Sequence, residues 1–215
     1  MKQLNWATLG CGVIANELAQ ALSKEGRTLY SVANRTHEKA QAFAQKYGIS
    51  KVYDNIDDVF YDPDVDIIYI STPHNTHINY LRKALSNGKH VLCEKSITLN
   101  ITELDEAISL AKANNVILAE AMTIYHMPVY KKLNKIISSG QLGRLNLIQV
   151  NFGSYKDYNM TNRFSAVSLQ EEHCLILVFT HFLSSAGSSR KHRRMYCHRL
   201  DMLRPVLMNR QAFCL

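Results

Sequence analysis

The sequence lacks a membrane span, a targeting signal and an ordered cysteine pattern. No apolar run approaches the ~18 residues that a membrane-spanning helix needs. The N-terminal residues MKQLNWATLG contain no long apolar core of a signal peptide. The five cysteines are odd in number and irregularly spaced, which favours reduced thiols over a disulfide framework or a zinc site. These absences predict a cytoplasmic protein with no metal and no membrane partner.

The basic charge is concentrated in one part of the chain. The 215 residues carry a net charge of +7, with 47% hydrophobic and 20% charged residues, which is typical of globular proteins. Residues 160–215 hold eight Lys or Arg and three Asp or Glu, a net +5, which leaves +2 for residues 1–159. The charge therefore does not point to a nucleic-acid partner of the main domain.

Near the N-terminus, the segment LNWATLGCGVIA combines a short apolar run, a glycine turn and the start of a helical pattern. Gly10, Gly12 and Ala15 have the spacing G-x-G-x-x-A. Gly10 would allow a tight turn, Gly12 would let backbone N–H groups approach a pyrophosphate, and Ala15 would let the helix pack closely. The phosphates would lie at the helix N-terminus beside Val13 and Ile14. The alternative is an ordinary glycine-rich turn.

Strand and helix patterns alternate as far as residue 120 and predict a doubly wound parallel sheet, a Rossmann-type α/β fold over residues 1–122. The nearly continuous apolar run VDIIYI, residues 65–70, is typical of a central strand. The predicted helix caps and ends are Thr36, Asp54, Gly48 and Asn87–Gly88. The other predicted strands are residues 4–9, 28–33, 51–53, 90–93 and 116–119.

A further helix from Pro128 and a strand over residues 145–154 follow this alternation. Because the parallel sheet already has six strands by residue 120, residues 123–164 are predicted to begin a second, incomplete α+β domain. Residues 165–215 show no such alternation and are predicted to form an irregular tail.

The end of the second predicted strand indicates which dinucleotide would bind. An NAD site has an acidic residue there, about 20 residues past the glycines, but this sequence has Asn34 and Arg35. Lys39 lies on the same helix face as Arg35. Two cations suit a 2′-phosphate, so the pattern favours NADP(H) over NAD(H), with NAD still possible. The alternative is a solvated, basic helix start.

Two polar segments follow buried strands, where ligands of open α/β sheets bind. The first contains Thr72, Pro73, His74 and His77 and is predicted to face the cofactor. No carboxylate or cysteine completes a metal set with its histidines. For His77 the alternative is a helix-start residue with a local hydrogen bond.

The second polar segment is Glu94–Lys95, which follows the fifth strand. Both residues are predicted to face the same cleft and to contact the cofactor. A lysine at this place suits proton exchange with a hydroxyl or carbonyl group. The alternative is a surface lysine.

The segments GCGVIA, ANRTHEKA, STPHNTH, GKHVLCEKS and AEAMTIYHMP occur in that order. Together they resemble the Gfo/Idh/MocA family of NAD(P)-dependent oxidoreductases, in its branch of dihydrodiol dehydrogenase-like and sugar dehydrogenases, from Lys2 to about Phe164. The resemblance implies hydride transfer between a nicotinamide and a hydroxyl-bearing carbon of a sugar, polyol or cyclic diol. It also implies a homo-oligomer in the intact family.

The resemblance also assigns site residues. It implies that Lys95 is the catalytic lysine of a Glu-Lys-Pro motif in which Ser96 replaces the proline. His74 stands where the family often has asparagine. Glu120 and Met122 match a segment that lines the cleft, so Glu120 is predicted to contact the cofactor.

The resemblance ends near Phe164. A Gly-Gly-rich stretch and an Asp followed four residues later by His or Tyr would be expected next, and neither is present. Residues 169–181 can be encoded so that dropping two bases yields Ala-Gly-Gly-Ala-Leu-Leu-Asp-Ile-Gly-Val-Tyr-Ala, the missing segment. We therefore predict that residues 165–215 are translated out of frame. Sequencing the coding DNA tests this prediction, and codons incompatible with that offset would contradict it.

Three functional hypotheses follow. The chain descends from an oxidoreductase whose activity is impaired because the catalytic Asp and its partner are missing; alternatively it is a non-catalytic nucleotide-binding fragment. Loss of most of the second domain would also remove its oligomer contacts. A third hypothesis takes RKHRRMYCHR, residues 190–199, as a nucleic-acid arm. The out-of-frame interpretation accounts for the same charges.

Overall fold

The computed structural model describes residues 3–144, 197–201 and 210–214. The chain divides into two compact units, Met1–Met122 and Thr123–Leu215. The strands of the first unit are β1 (Trp6–Leu9), β2 (Ser31–Ala33), β3 (Lys51–Val52), β4 (Ile67–Ile70), β5 (His90–Cys93) and β6 (Leu118–Glu120). Its helices are α1 (Val13–Lys24), α2 (His37–Tyr47), α3 (Asp58–Tyr61), α4 (His77–Ser86) and α5 (Ile101–Ala113), with a 3-10 turn at His74–Thr76.

The strands of this unit form one parallel sheet in the order β3-β2-β1-β4-β5-β6. The order reverses between β1 and β4, so the predicted doubly wound sheet is confirmed. Two apolar clusters pack against the sheet. One is centred on Phe60, Ile68 and Leu81, and the other lies around Val32 and Phe43.

The register aligns the carboxyl ends of neighbouring strands. Leu9 pairs with both Ala33 and Ile70, Ile70 pairs with Cys93, and Cys93 pairs with Glu120. The next residue along each chain segment continues the ladder, with N–H donors at 2.7–2.9 Å from the carbonyl oxygens of the neighbouring strand ends. Every loop that leaves these ends therefore starts from one edge of the sheet, where ligands of such sheets bind.

Several element boundaries differ from the predictions. Strand β2 begins at Ser31 rather than at residue 28. Strand β6 begins at Leu118 rather than at residue 116. The Val116 N–H donates to the Ala111 carbonyl, so Val116 is part of the turn that ends α5. The prediction that Asp54 caps the third helix is wrong, since α3 begins at Asp58.

The predicted helix ends agree better with the structure. Gly48 ends α2 with a φ of +66°, as predicted, and α4 ends at Ser86 with Asn87 as its C-cap. Thr36 occupies the cap position of α2, but its side chain makes no capping hydrogen bond.

In the second unit the described residues form a 3-10 turn (Thr123–His126), helix α6 (Pro128–Ser138) and a hairpin of β7 (Cys197–Asp201) with β8 (Arg210–Cys214). The helix begins at the proline, as predicted. The prediction of an irregular tail did not include this hairpin. The predicted strand over residues 145–154 lies outside the described residues. No helix in the described part of the chain is long and apolar enough to cross a membrane.

Candidate functional site

The turn after β1 requires a glycine at position 10. The Gly10 N–H donates to the Ala33 carbonyl at 2.8 Å, and its φ is +102°, a conformation that side chains disfavour. A Cβ at this position would lie 2.9 Å from the Ser71 Oγ and 3.1 Å from the Ser71 carbonyl oxygen. The turn thus brings the ends of β1 and β4 into close contact where the strand order reverses.

Gly12 differs from Gly10, because no described residue lies close enough to exclude a side chain there. Its φ is −74°, and an added Cβ would meet no atom within 4 Å in the part of the chain that the structure describes. Gly12 is the cap residue of α1, but it provides no side-chain hydrogen bond, and the first turn contains no acidic residue. The first hydrogen bond of the helix runs from the Asn16 N–H to the Gly12 carbonyl at 3.1 Å.

The start of α1 is therefore open and electropositive. The N–H groups that precede the first helical hydrogen bond have no partner within the helix, and they point toward the N-terminal end, where the helix dipole is positive. Val13 is 73% exposed, while Ala15 is fully buried against the sheet. Backbone donors and open space are what a diphosphate requires, so this part of the chain fits a dinucleotide.

Positive side chains follow the neighbouring strand β2. Arg35 and Lys39 are both exposed, and no ion pair with either is found among the residues that the structure describes. Burial raises the pKa of the Cys11 thiol, and the positive charge of Lys39 partly opposes this rise. Lys39 is therefore near the glycine turn. The Asn34 amide donates to the Thr36 carbonyl at 2.9 Å and fixes the turn that carries Arg35.

The loop after β4 carries the predicted Thr72–His77 segment. Its ring pair, His74 and His77, makes an edge contact with 5.6 Å between centroids. Thr72 and His74 are half-buried and Pro73 is exposed at the sheet edge, whereas His77 is fully buried. The His77 ring nitrogens lie 2.8 Å from the Thr72 carbonyl oxygen and 2.9 Å from the Ser96 carbonyl oxygen. The Thr72 contact is the local hydrogen bond of the alternative interpretation of His77, whereas the Ser96 contact joins α4 to the loop after β5.

Lys95 follows β5 on the same edge of the sheet and is half-buried. The peptide bond that joins it to Ser96 is cis. No hydrogen bond or ion pair to the Lys95 ammonium group is found within the described ranges. The flanking residues, by contrast, are held by side chains: Tyr69 binds Glu94, and Glu120 binds the backbone after Lys95.

Burial shapes the ionisation of the groups beside Lys95. Burial and the neighbouring Glu94 carboxylate raise the pKa of the Tyr69 phenol. Burial also raises the pKa of the Cys93 thiol, with further contributions from the Glu120 and Glu94 carboxylates. Tyr69 therefore stays a neutral donor, and Cys93 stays an unreactive thiol.

Three further residues shape the site although they were not among the predicted site residues. Ser71 forms the wall against Gly10, Asn16 donates to the Gly12 carbonyl at 2.9 Å, and Tyr69 holds Glu94. Only Tyr69 carried a usable signal. Its hydroxyl lies within the apolar run of a central strand, and a buried tyrosine hydroxyl needs a hydrogen-bond partner. Among the described residues, no group of three or more His, Cys, Asp or Glu could hold a metal ion.

The sheet order, the open helix start after a forced glycine turn and the loops gathered at the strand reversal define a dinucleotide-binding α/β domain. The chain belongs to the Gfo/Idh/MocA family, described as an oxidoreductase family with an NAD-binding Rossmann fold, whose profile matches residues 4–122. The predicted family resemblance is therefore confirmed.

Individual proteins agree with this membership. The chain is 34% identical over 151 residues to trans-1,2-dihydrobenzene-1,2-diol dehydrogenase of Xenopus tropicalis, covering 69% of this chain and 46% of that protein. The myo-inositol 2-dehydrogenase of Lactobacillus plantarum has a TM-score of 0.61 and 25% identity over 66% of this chain and 43% of that one. KijD10, a 3-ketoreductase of Actinomadura kijaniata crystallised with NADP and TDP-benzene, has a TM-score of 0.60 and 25% identity over 65% of this chain and 43% of its own. The chain thus spans less than half the length of these relatives.

Proposed function

We propose that this chain binds NADP(H) and descends from enzymes that transfer hydride to or from a hydroxyl-bearing carbon. One observation carries the proposal. An open helix N-terminus lies beside Gly12, and two exposed cations, Arg35 and Lys39, follow the neighbouring strand where an NAD site would have a carboxylate. NAD(H) remains the weaker ligand in this proposal.

Each part of the site has its own role in binding or in proton transfer in this proposal. Backbone N–H groups at Val13 and Ile14 would donate to the diphosphate, and Arg35 with Lys39 would bind the 2′-phosphate. A bound nicotinamide would supply or accept the hydride. Lys95, at the strand edge with no described partner for its ammonium group, would exchange a proton with the substrate oxygen.

Thr72, Pro73, His74 and Glu94 stand at the same edge of the sheet. As predicted cofactor contacts, they would border the nicotinamide half of the site, since their loops leave the strands on the far side of the reversal from Arg35. His77 and Glu120 would act on this half through the backbone that they hold.

The proposed substrate class is a small sugar, polyol or cyclic diol. Among the relatives, one is named for a dihydrobenzene diol and another for myo-inositol, and both molecules carry adjacent ring hydroxyls. In this proposal residues 123–164 begin the substrate domain. We propose that residues 165–215 stand in place of the segment that would complete it, and we therefore expect hydride transfer to be weak or absent. The alternative function is a non-catalytic nucleotide-binding fragment.

Titration of the purified chain with NADPH and NADH tests the proposal. We expect bound NADPH to quench the fluorescence of Trp6, the single tryptophan, or to show enhanced nicotinamide fluorescence. We expect the affinity for NADPH to be at least about tenfold higher than the affinity for NADH. Turnover is then measured with trans-dihydrodiols and inositols. Binding without turnover would favour the nucleotide-binding fragment, measurable turnover would favour the enzyme, and failure of both coenzymes to bind would contradict the proposal.

A further inference from the structure

The backbone immediately after Lys95 is held from two directions. The Ile97 N–H donates to the Glu120 Oε1 at 3.0 Å, and Glu120 is the last residue of β6. The Ser96 carbonyl oxygen lies 2.9 Å from the Nδ1 of His77, which is the fully buried first residue of α4. The peptide unit that joins Ser96 to Ile97, directly after Lys95, is thus contacted at both its carbonyl oxygen and its N–H by side chains from two other elements.

The backbone before Lys95 is held in a third way. The Tyr69 hydroxyl, from the central strand β4, donates to the Glu94 Oε1 at 2.5 Å. Tyr69 is only 3% exposed, so its ring has little room to move. The Glu94 N–H also donates to the Ile70 carbonyl at 2.9 Å. Lys95 therefore lies between anchored neighbours.

We infer that Tyr69, His77 and Glu120 are positioning residues that together set the location of Lys95 relative to the cofactor. The inference rests on the proposed function, since it takes Lys95 to contact the bound NADP(H). In this inference Glu120 needs only a side-chain oxygen that accepts the hydrogen bond from the Ile97 N–H. A role through the negative charge of Glu120 at the cofactor is the alternative.

This difference makes the proposal testable on Glu120. In Glu120→Gln the side-chain carbonyl oxygen can still accept from the Ile97 N–H, whereas Glu120→Ala removes the acceptor. If Glu120 acts through the backbone, the Gln variant should behave like the wild type. If it acts by its charge, both variants should be impaired alike.

The experiment is a double-mutant cycle on the full chain with NADPH affinity as the readout. Lys95→Ala is expected to weaken NADPH binding about tenfold, the size of one lost hydrogen bond from a charged group. Glu120→Ala is expected to weaken it about three- to tenfold, and Glu120→Gln less than about twofold. In the Lys95→Ala background, Glu120→Ala should cause almost no further loss, because the side chain that it positions is already gone.

Tyr69→Phe is a second variant that keeps the packed ring and removes only the hydroxyl. We expect its effect on NADPH affinity also to disappear in the Lys95→Ala background. Hydrogen exchange at the Ile97 amide gives an independent readout, with faster exchange in Glu120→Ala than in Glu120→Gln.

Several outcomes would overturn the inference. Losses of NADPH affinity that add in the Glu120 and Tyr69 cycles would do so. A Glu120→Gln variant that loses as much affinity as Glu120→Ala would also do so. In both cases NADPH binding by the wild type would still support the proposed function. A wild-type chain with no affinity for NADPH would overturn the proposed function and this inference together.

Discussion

Gly10→Ala is expected to lower the free energy of unfolding by about 2–4 kcal/mol. Two costs add in this variant. The backbone at Gly10 has a φ of +102°, which a side chain disfavours, and the new Cβ would lie 3.1 Å from the Ser71 carbonyl oxygen. Since the Ser71 N–H donates to the Leu9 carbonyl at 2.9 Å, the Ser71 backbone cannot move without disturbing the contact between β1 and the end of β4.

Gly12→Ala is the matched control, because it adds the same methyl group two residues away. Gly12 has a negative φ and open space, so we expect its free energy of unfolding to change by less than about 1 kcal/mol. The same methyl group would occupy the space beside the N–H donors of α1. We therefore expect NADPH affinity to fall at least about tenfold in this variant.

Chemical denaturation and NADPH titration of both variants separate the two roles. The expected pattern is a loss of stability in Gly10→Ala and a loss of binding without a loss of stability in Gly12→Ala. Equal stability of the two variants would show that the turn tolerates a side chain at position 10. Unchanged NADPH affinity in Gly12→Ala would place the diphosphate somewhere other than the start of α1.

Arg35→Asp is expected to weaken NADPH binding by about 10- to 100-fold. The change removes a guanidinium from the proposed 2′-phosphate contact and introduces a carboxylate that repels the phosphate. NADH has no 2′-phosphate, and an acidic residue at this place binds the ribose 2′-hydroxyl. We therefore expect NADH affinity to stay the same or to rise, so that the preference between the two coenzymes is reversed.

The control for Arg35→Asp changes the net charge equally at a distance from the site. Lys24 is an exposed cation in the last turn of α1, about 16 Å along the helix from Val13. Lys24→Asp should leave both affinities within about twofold of the wild type. Unchanged NADPH affinity in Arg35→Asp, or an equal loss in Lys24→Asp, would contradict the assignment of the 2′-phosphate to Arg35.

The sequence predicted most of the fold because its signals are local. The glycine turn, the apolar run of β4 and the stop at Gly48 are each encoded within a few residues, and the structure has all three. The wrong helix cap at Asp54 has the opposite origin. An aspartate before a short apolar segment resembles a cap, but the Asn55 carboxamide accepts from the Asp57 N–H and delays the start of α3.

The sequence by itself determined the fold class and the family. It also predicted that Gly10, Gly12, Arg35 and Lys95 follow the carboxyl ends of strands. Short motifs fix these because strand, turn and helix preferences act between near neighbours. Only the tertiary structure decided that Gly10 faces Ser71 and that Lys95 lies between anchored neighbours. The partners that hold the backbone around Lys95 are 19 to 25 residues away from the groups they bind. Contacts over such separations depend on the register of β4, β5 and β6, which no local pattern records.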